Sequence, residues 1–109
     1  MTEDEARQKL LARRAELAEE DRMSMEARAP VTLQQDSVGR LSRIDAMQQQ
    51  QMALAAEKRR QSERSRIAAA LHRLDQAEWG YCLTCGEEIA ARRLEHDPSV
   101  AECVGCAGK

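Results

Sequence analysis

Gly80-Tyr81-Cys82-Leu83-Thr84-Cys85-Gly86 is followed, with seventeen residues between its second cysteine and the next, by Cys103-Val104-Gly105-Cys106. The spacing C-x2-C-x17-C-x2-C decides the fold. Two residues between cysteines let both sulfurs of one tight turn point to the same side, and two such turns supply four thiolates for one tetrahedral zinc ion. Seventeen residues are enough to bring the turns face to face. Gly86 and Gly105 are expected to relieve backbone crowding at the knuckles. Cys82, Cys85, Cys103 and Cys106 are therefore the expected ligands of one structural zinc. Two disulfides would need an oxidising compartment, and nothing in the sequence points to export. A thioredoxin-type motif needs a βαβ surround that is missing here. An iron–sulfur cluster stays open on ligand type alone. A catalytic zinc would need an open position, which four cysteines close. His96 sits in mid-span with no pairing and reads as a surface histidine.

Upstream, the composition is helical. The chain has 109 residues, 42% hydrophobic and 33% charged, with one Trp, one Tyr and no Phe. Strand-favouring residues are scarce, which argues against all-β and doubly wound folds. Too little core is available for a large pocketed enzyme. Residues 2–27 lack Gly and Pro, and Thr2 with Glu5 forms a capping box. Ala6, Leu10 and Leu17, with Met23 and Met25 further on, give a thin apolar seam suited to one partner helix. Pro30 breaks the helix, and the turn is placed at about 28–37. A second helix is expected over 38–77. It carries one stripe at Val38, Leu41, Ile44, Met52 and Ala55, and another at Ile67, Leu71 and Leu74. Gly39 lies near its start. Folding the first helix back from the turn covers the second only to about Ser62. The Ile67 stripe, with Trp79, is then left to pack on the C-terminal part, whose apolar residues are Tyr81, Leu83, Ile89, Leu94 and Val100.

The expected fold class is mainly α: an antiparallel helical hairpin, or coiled-coil arm, over 1–79, followed by a small four-cysteine zinc finger over 80–109. With so few apolar residues around the cysteines, metal binding is folding energy for that region, and a chelator is expected to unfold 80–106 first.

Charge and targeting signals narrow the function. Net charge is −2. Residues 1–30 hold eight acids and six bases, 31–79 six and eight, 80–109 five and three, which is no sustained basic stripe for phosphates. The cluster Lys58-Arg59-Arg60 with Arg64 and Arg66 reads as a solvated helix face or a contact for an acidic surface. No apolar run is long enough to span a membrane, and the acidic N-terminus is no signal peptide. The expectation is a cytoplasmic protein. No Ser/His/Asp set or phosphate loop is present, so an enzyme is not expected.

Gly80-Tyr81-Cys82-x-x-Cys85-Gly86, Ile89, Arg92-Arg93-Leu94, Pro98 and Cys103-x-x-Cys106 resemble the zinc finger of the DksA/TraR family. The run from Val38 to Ala46 is similar to the hairpin-tip region of its shorter, DksA-like bacterial members. The resemblance implies a bacterial transcription regulator that binds RNA polymerase directly. It would place the arm in the secondary channel and change initiation without reading promoter sequence. The family's Asp-x-x-Asp-x-Ala tip motif is matched only in its first position, by Asp36; Gly39 and Leu41 stand at the other two. Asp36, Arg40 and Asp45 are thus the candidate partner-binding residues of the tip, and Asp36 is equally suited to cap the second helix. Arg92 and Arg93 are suited to polymerase or phosphate contact and equally to pairing with Glu87, Glu88 or Glu95. The sequence runs three residues past Cys106, and the expectation is that the N-terminal extension and C-terminal helix of DksA have no counterpart. Binding of the nucleotide ppGpp is for that reason not carried over. A monomer is expected. The competing readings are a zinc-finger DNA-binding protein, which the acidic finger disfavours, and a structural or redox-sensing adaptor whose cysteines release zinc on oxidation.

Overall fold

The computed structural model describes residues 1–28 and 40–108. Two long helices dominate it: α1, Glu3–Arg28, and α2, Arg40–Asp75. Two short ones follow, α3 at Ala91–His96 and α4 at Val104–Ala107. Among the described residues the only extended pairing is an isolated antiparallel bridge between Tyr81 and Glu88. The mainly α architecture expected from composition is what forms. Asp36 and Gly39 lie outside the described residues, as do all side chains between 26 and 42.

α1 begins where its sequence says it should. The Thr2 hydroxyl accepts from the Glu5 amide at 3.1 Å, and Glu3, Asp4 and Glu5 occupy the first turn, where carboxylates favour the positive end of the helix dipole. α2 ends in a Schellman turn. The Glu78 amide bonds to the Arg73 carbonyl at 2.8 Å and the Ala77 amide to the Leu74 carbonyl at 3.2 Å. That turn needs a left-handed residue, and it has Ala77 at φ 59° instead of glycine.

The register of the hairpin differs from the expectation. Arg7 pairs with Asp75 at 2.9 Å, Arg13 with Glu63 at 2.7 Å, and Arg60 with Ser24 at 2.7 Å. The start of α1 therefore lies beside the end of α2. Ile67, Ala70 and Leu74 are buried with Ala6, Leu10 and Leu17 as well as with Trp79, Cys82, Ile89 and Leu94, in one continuous core. The expected division, with α1 reaching only Ser62 and the finger alone covering Ile67, is corrected. The cause is visible in the side chains toward the turn. The expected seam there, Met23, Met25, Ile44 and Met52, is 70, 63, 44 and 71% exposed. Contact at that level is made instead by Arg60, whose guanidinium lies inside the hairpin and donates to Ser24 and Asp21. Burying the Ile67–Leu74 stripe on both sides gains more than pairing thinner residues near the turn.

Candidate metal centre

The finger is mounted on the end of α2 by one aromatic residue. Trp79 is buried in the core, and its indole N–H donates to the Pro98 carbonyl at 2.9 Å. Arg73, also buried, donates weakly to the carbonyls of Ser99 and Val100, and burial pulls its guanidinium below its ordinary value. From the other side, the Lys9 ammonium of α1 donates to the Glu95 carbonyl at 2.7 Å. Both long helices thus grip the segment that joins the two cysteine pairs.

The first knuckle is a tight hairpin. The Cys82 amide bonds to the Glu87 carbonyl at 2.8 Å, the Ile89 amide to the Gly80 carbonyl at 2.8 Å, and the Gly86 amide to the Cys82 carbonyl at 2.9 Å. Gly80 at φ 94° and Gly86 at φ 79° take backbone conformations that L side chains rarely adopt. Gly105 does not, so the crowding expected there is not what selects it. An added Cβ there would make only ordinary van der Waals contact with the Cys103 sulfur, at 3.9 Å, so neither backbone conformation nor space requires glycine at this position. In the second knuckle the Cys106 and Ala107 amides both bond to the Cys103 carbonyl, which starts α4. The knuckles are tied together by the Leu83 amide on the Ala101 carbonyl at 2.9 Å and by the Thr84 hydroxyl on the Glu102 carboxylate at 2.9 Å.

This scaffold brings Cys82, Cys85, Cys103 and Cys106 together, with all four sulfurs within 4.8 Å of one another. The Cys85 and Cys103 sulfurs are 3.7 Å apart. Sulfurs about 2.3 Å from one tetrahedral ion stand about 3.8 Å apart, whereas a disulfide requires about 2.05 Å. The donor set therefore fits a single metal ion. Without a metal the thiols compete for protons. Amides of Cys103 first, then of Cys85 and Thr84, pull Cys82 down to about 6. The hydrogen bond with Cys103, followed by that with Cys82, pushes Cys106 up to about 12. Cys85 receives the Glu87 amide, which lowers it, but Cys82, burial and Cys103 raise it on balance. A cation replaces this competition with a common attraction, so metal binding and thiol deprotonation are one process.

The remaining predicted site residues are not gathered at the finger. Asp45 is exposed on α2 and Arg40 opens that helix. Arg92 is exposed, while Arg93 donates through Nε to the Glu102 carbonyl at 2.9 Å, a backbone acceptor in place of the acids expected for it. Tyr81 and Leu83, counted as core, are 47 and 64% exposed. Glu102 went unnoticed in the sequence, although its place directly before Cys103 was the available signal. His96 is exposed, beside a cleft between hairpin and finger that is lined by Lys9, Arg13 and Arg66 and equally by Glu16, Glu63 and Asp97.

No protein-family model matches the chain. Among curated proteins it is similar to the RNA polymerase-binding transcription factor DksA of Haemophilus influenzae, 49% identical over 41 residues, which is 38% of this chain and 28% of that protein. It is 39% identical over 41 residues to the protein of the same name from Escherichia coli, 38% of this chain and 27% of that one. With the DksA of Buchnera aphidicola it shares 32% identity over 63 residues, 56% of this chain and 42% of the relative. The matches thus span less than half of the length of these relatives. Its fold is that of transcription factor DksA2 from Pseudomonas aeruginosa, with a TM-score of 0.79 and 24% identity, covering 97% of this chain and 80% of the other.

Proposed function

We propose that this protein is a DksA-like regulator that binds bacterial RNA polymerase directly and alters transcription initiation without reading promoter sequence. In this reading residues 1–79 are the arm and 80–109 the finger. The arm enters the polymerase secondary channel, and Asp36, Arg40 and Asp45 act near its tip. The observation that carries the reading is a two-helix arm built on a four-thiol finger in a chain whose curated relatives are RNA polymerase-binding transcription factors. The metal is zinc, because four thiolates at tetrahedral spacing suit it best. Its task is structural: four thiolates close the coordination shell and leave no place for a reacting water, and the protein is read as non-catalytic. No helix among the described residues is long and apolar enough to cross a membrane, in keeping with a partner in the cytoplasm. The cleft beside His96 balances three cations against three carboxylates, so it offers a polyphosphate no net positive field, and ppGpp is not assigned to it.

The test is binding to core RNA polymerase together with the lifetime of promoter complexes, for the native chain and for Asp36→Asn and Asp45→Asn. Micromolar binding with a changed lifetime is expected, and loss of the lifetime effect with binding retained would place the chemistry at the tip. No binding and no change in lifetime would overturn the reading. A steep salt-dependent affinity for duplex DNA alone would put a DNA-binding protein in its place.

A further inference from the structure

The chain has five methionines, and they are sorted by position. Met1 packs against the core. Met25, Met47 and Met52 lie on the arm between the Arg60–Ser24 contact and the turn, and Met23 directly precedes Ser24; Met23, Met25, Met47 and Met52 are 70, 63, 50 and 71% exposed. A buried methionine fills space. A thioether that is half or more in water fills none, yet it remains a soft nucleophile whose reactivity does not depend on pH. The four thiols lie at the opposite end of the molecule, with the apolar core of Leu10, Leu17 and Ile67 in between.

We propose that Met23, Met25, Met47 and Met52 are sites of reversible oxidation to methionine sulfoxide, a redox-responsive surface on the arm separate from the cysteines. The oxidant class is a hydroperoxide. A sulfur lone pair attacks its terminal oxygen, the S–O bond forms as the O–O bond breaks, and the departing alkoxide (hydroxide for hydrogen peroxide) takes up the released proton to give an alcohol (water for hydrogen peroxide). Sulfur loses two electrons and the peroxide gains them. Reversal requires a sulfoxide reductase that takes the oxygen off as water while a dithiol becomes a disulfide. Each sulfoxide turns an apolar, flexible side chain into a polar one, so the distal arm loses the apolar surface it presents to a partner. That consequence rests on the polymerase-binding reading; the modification itself does not.

The experiment treats the zinc-loaded full chain with hydrogen peroxide. Zinc release is followed with a chromogenic chelator, so that thiol oxidation is counted separately, and each methionine is followed by peptide mass mapping. One added oxygen is expected at each of the four arm residues well before Met1. Affinity for core RNA polymerase should fall about tenfold or more, the effect of losing roughly one buried apolar side chain. It should recover with sulfoxide reductases of both stereospecificities. A variant carrying M23L, M25L, M47L and M52L, whatever its starting affinity, should lose none of that affinity on the same treatment. Oxidation of Met1 as fast as of the arm residues would overturn the assignment of the sites. Equal loss of binding by the leucine variant and the native chain would overturn the assignment of the effect, by moving it to the thiols. If the untreated protein does not bind polymerase, the functional reading fails and the peptide map alone decides the modification.

Discussion

At the scale of single residues, two positions carry energies that can be measured. Ala77 holds the left-handed corner of the turn that ends α2, a conformation that costs a non-glycine residue about 1 kcal/mol or more. Ala77→Gly removes that cost and adds some chain entropy to the unfolded state. The expected net effect is a stabilisation of about 0.5 kcal/mol, read as a higher midpoint in thermal unfolding. Glu63 is the second. Arg13 grips its carboxylate with two hydrogen bonds, at 2.7 and 3.0 Å, and this lowers the Glu63 carboxyl below its ordinary value of 4.5. A lowered carboxyl stabilises the fold fully above its unfolded value and loses that contribution as pH falls through the folded one. The pair's contribution to stability should therefore be flat above about pH 6 and decline through the acid range below 4.5. Glu63→Gln should remove part of that decline. Because Arg13 is 38% exposed, its cost at neutral pH is held to about 0.5–1 kcal/mol. A variant whose acid titration of stability overlays that of the native chain would show that the pair contributes nothing.

At the scale of elements, the finger and the two long helices are one packing unit, and this alters what metal removal should do. The sequence alone makes zinc the glue of residues 80–106, with the helices indifferent to it. In the structure Cys82, Ile89 and Leu94 share a core with Ala6, Leu10, Ile67 and Leu74, and Lys9 is tied to Glu95. Chelation of the holoprotein should therefore expose two regions to amide exchange: the finger, and the first three turns of α1 together with α2 after Ile67. The segment from Glu16 to Met25 should be less affected. Exchange confined to residues 80–106 would mean that the shared core holds without the knuckles. The difference between the two expectations marks what was legible in the sequence. The two long helices, the Thr2 cap of α1, the cysteine site and the role of Trp79 follow from local spacing and composition. The register does not. It depends on Arg60 turning inward while Met23 and Met52 turn outward, and no periodicity distinguishes an arginine that buries its guanidinium from one that solvates it. Ala77 gave no signal either, because its left-handed backbone is imposed by the turn and not by its side chain.

At the scale of the molecule, the placement of the core governs shape. Among the described residues, the buried apolar ones lie at one end, from Ala6 to Leu17 on α1, from Ile67 on α2, and in the finger. Beyond them the arm is held by polar contacts: Arg60 to Ser24 and Asp21, and Arg64 to Asp21 at 3.8 Å. Such a shaft has no apolar reason to fold back onto the base. The radius of gyration is accordingly 19.2 Å, with extents of 61, 29 and 20 Å, whereas a globular chain of this length would have about 13 Å and an unfolded one about 33 Å. Small-angle scattering from the zinc-loaded protein at physiological salt should give a radius close to 19 Å and the mass of one chain. A radius near 13 Å would mean that the arm collapses onto the finger and cannot reach into a partner. A doubled mass would mean that the exposed methionines and Ile44 are covered by a second copy, and an assembly of that kind would have to dissociate before the arm could enter a channel.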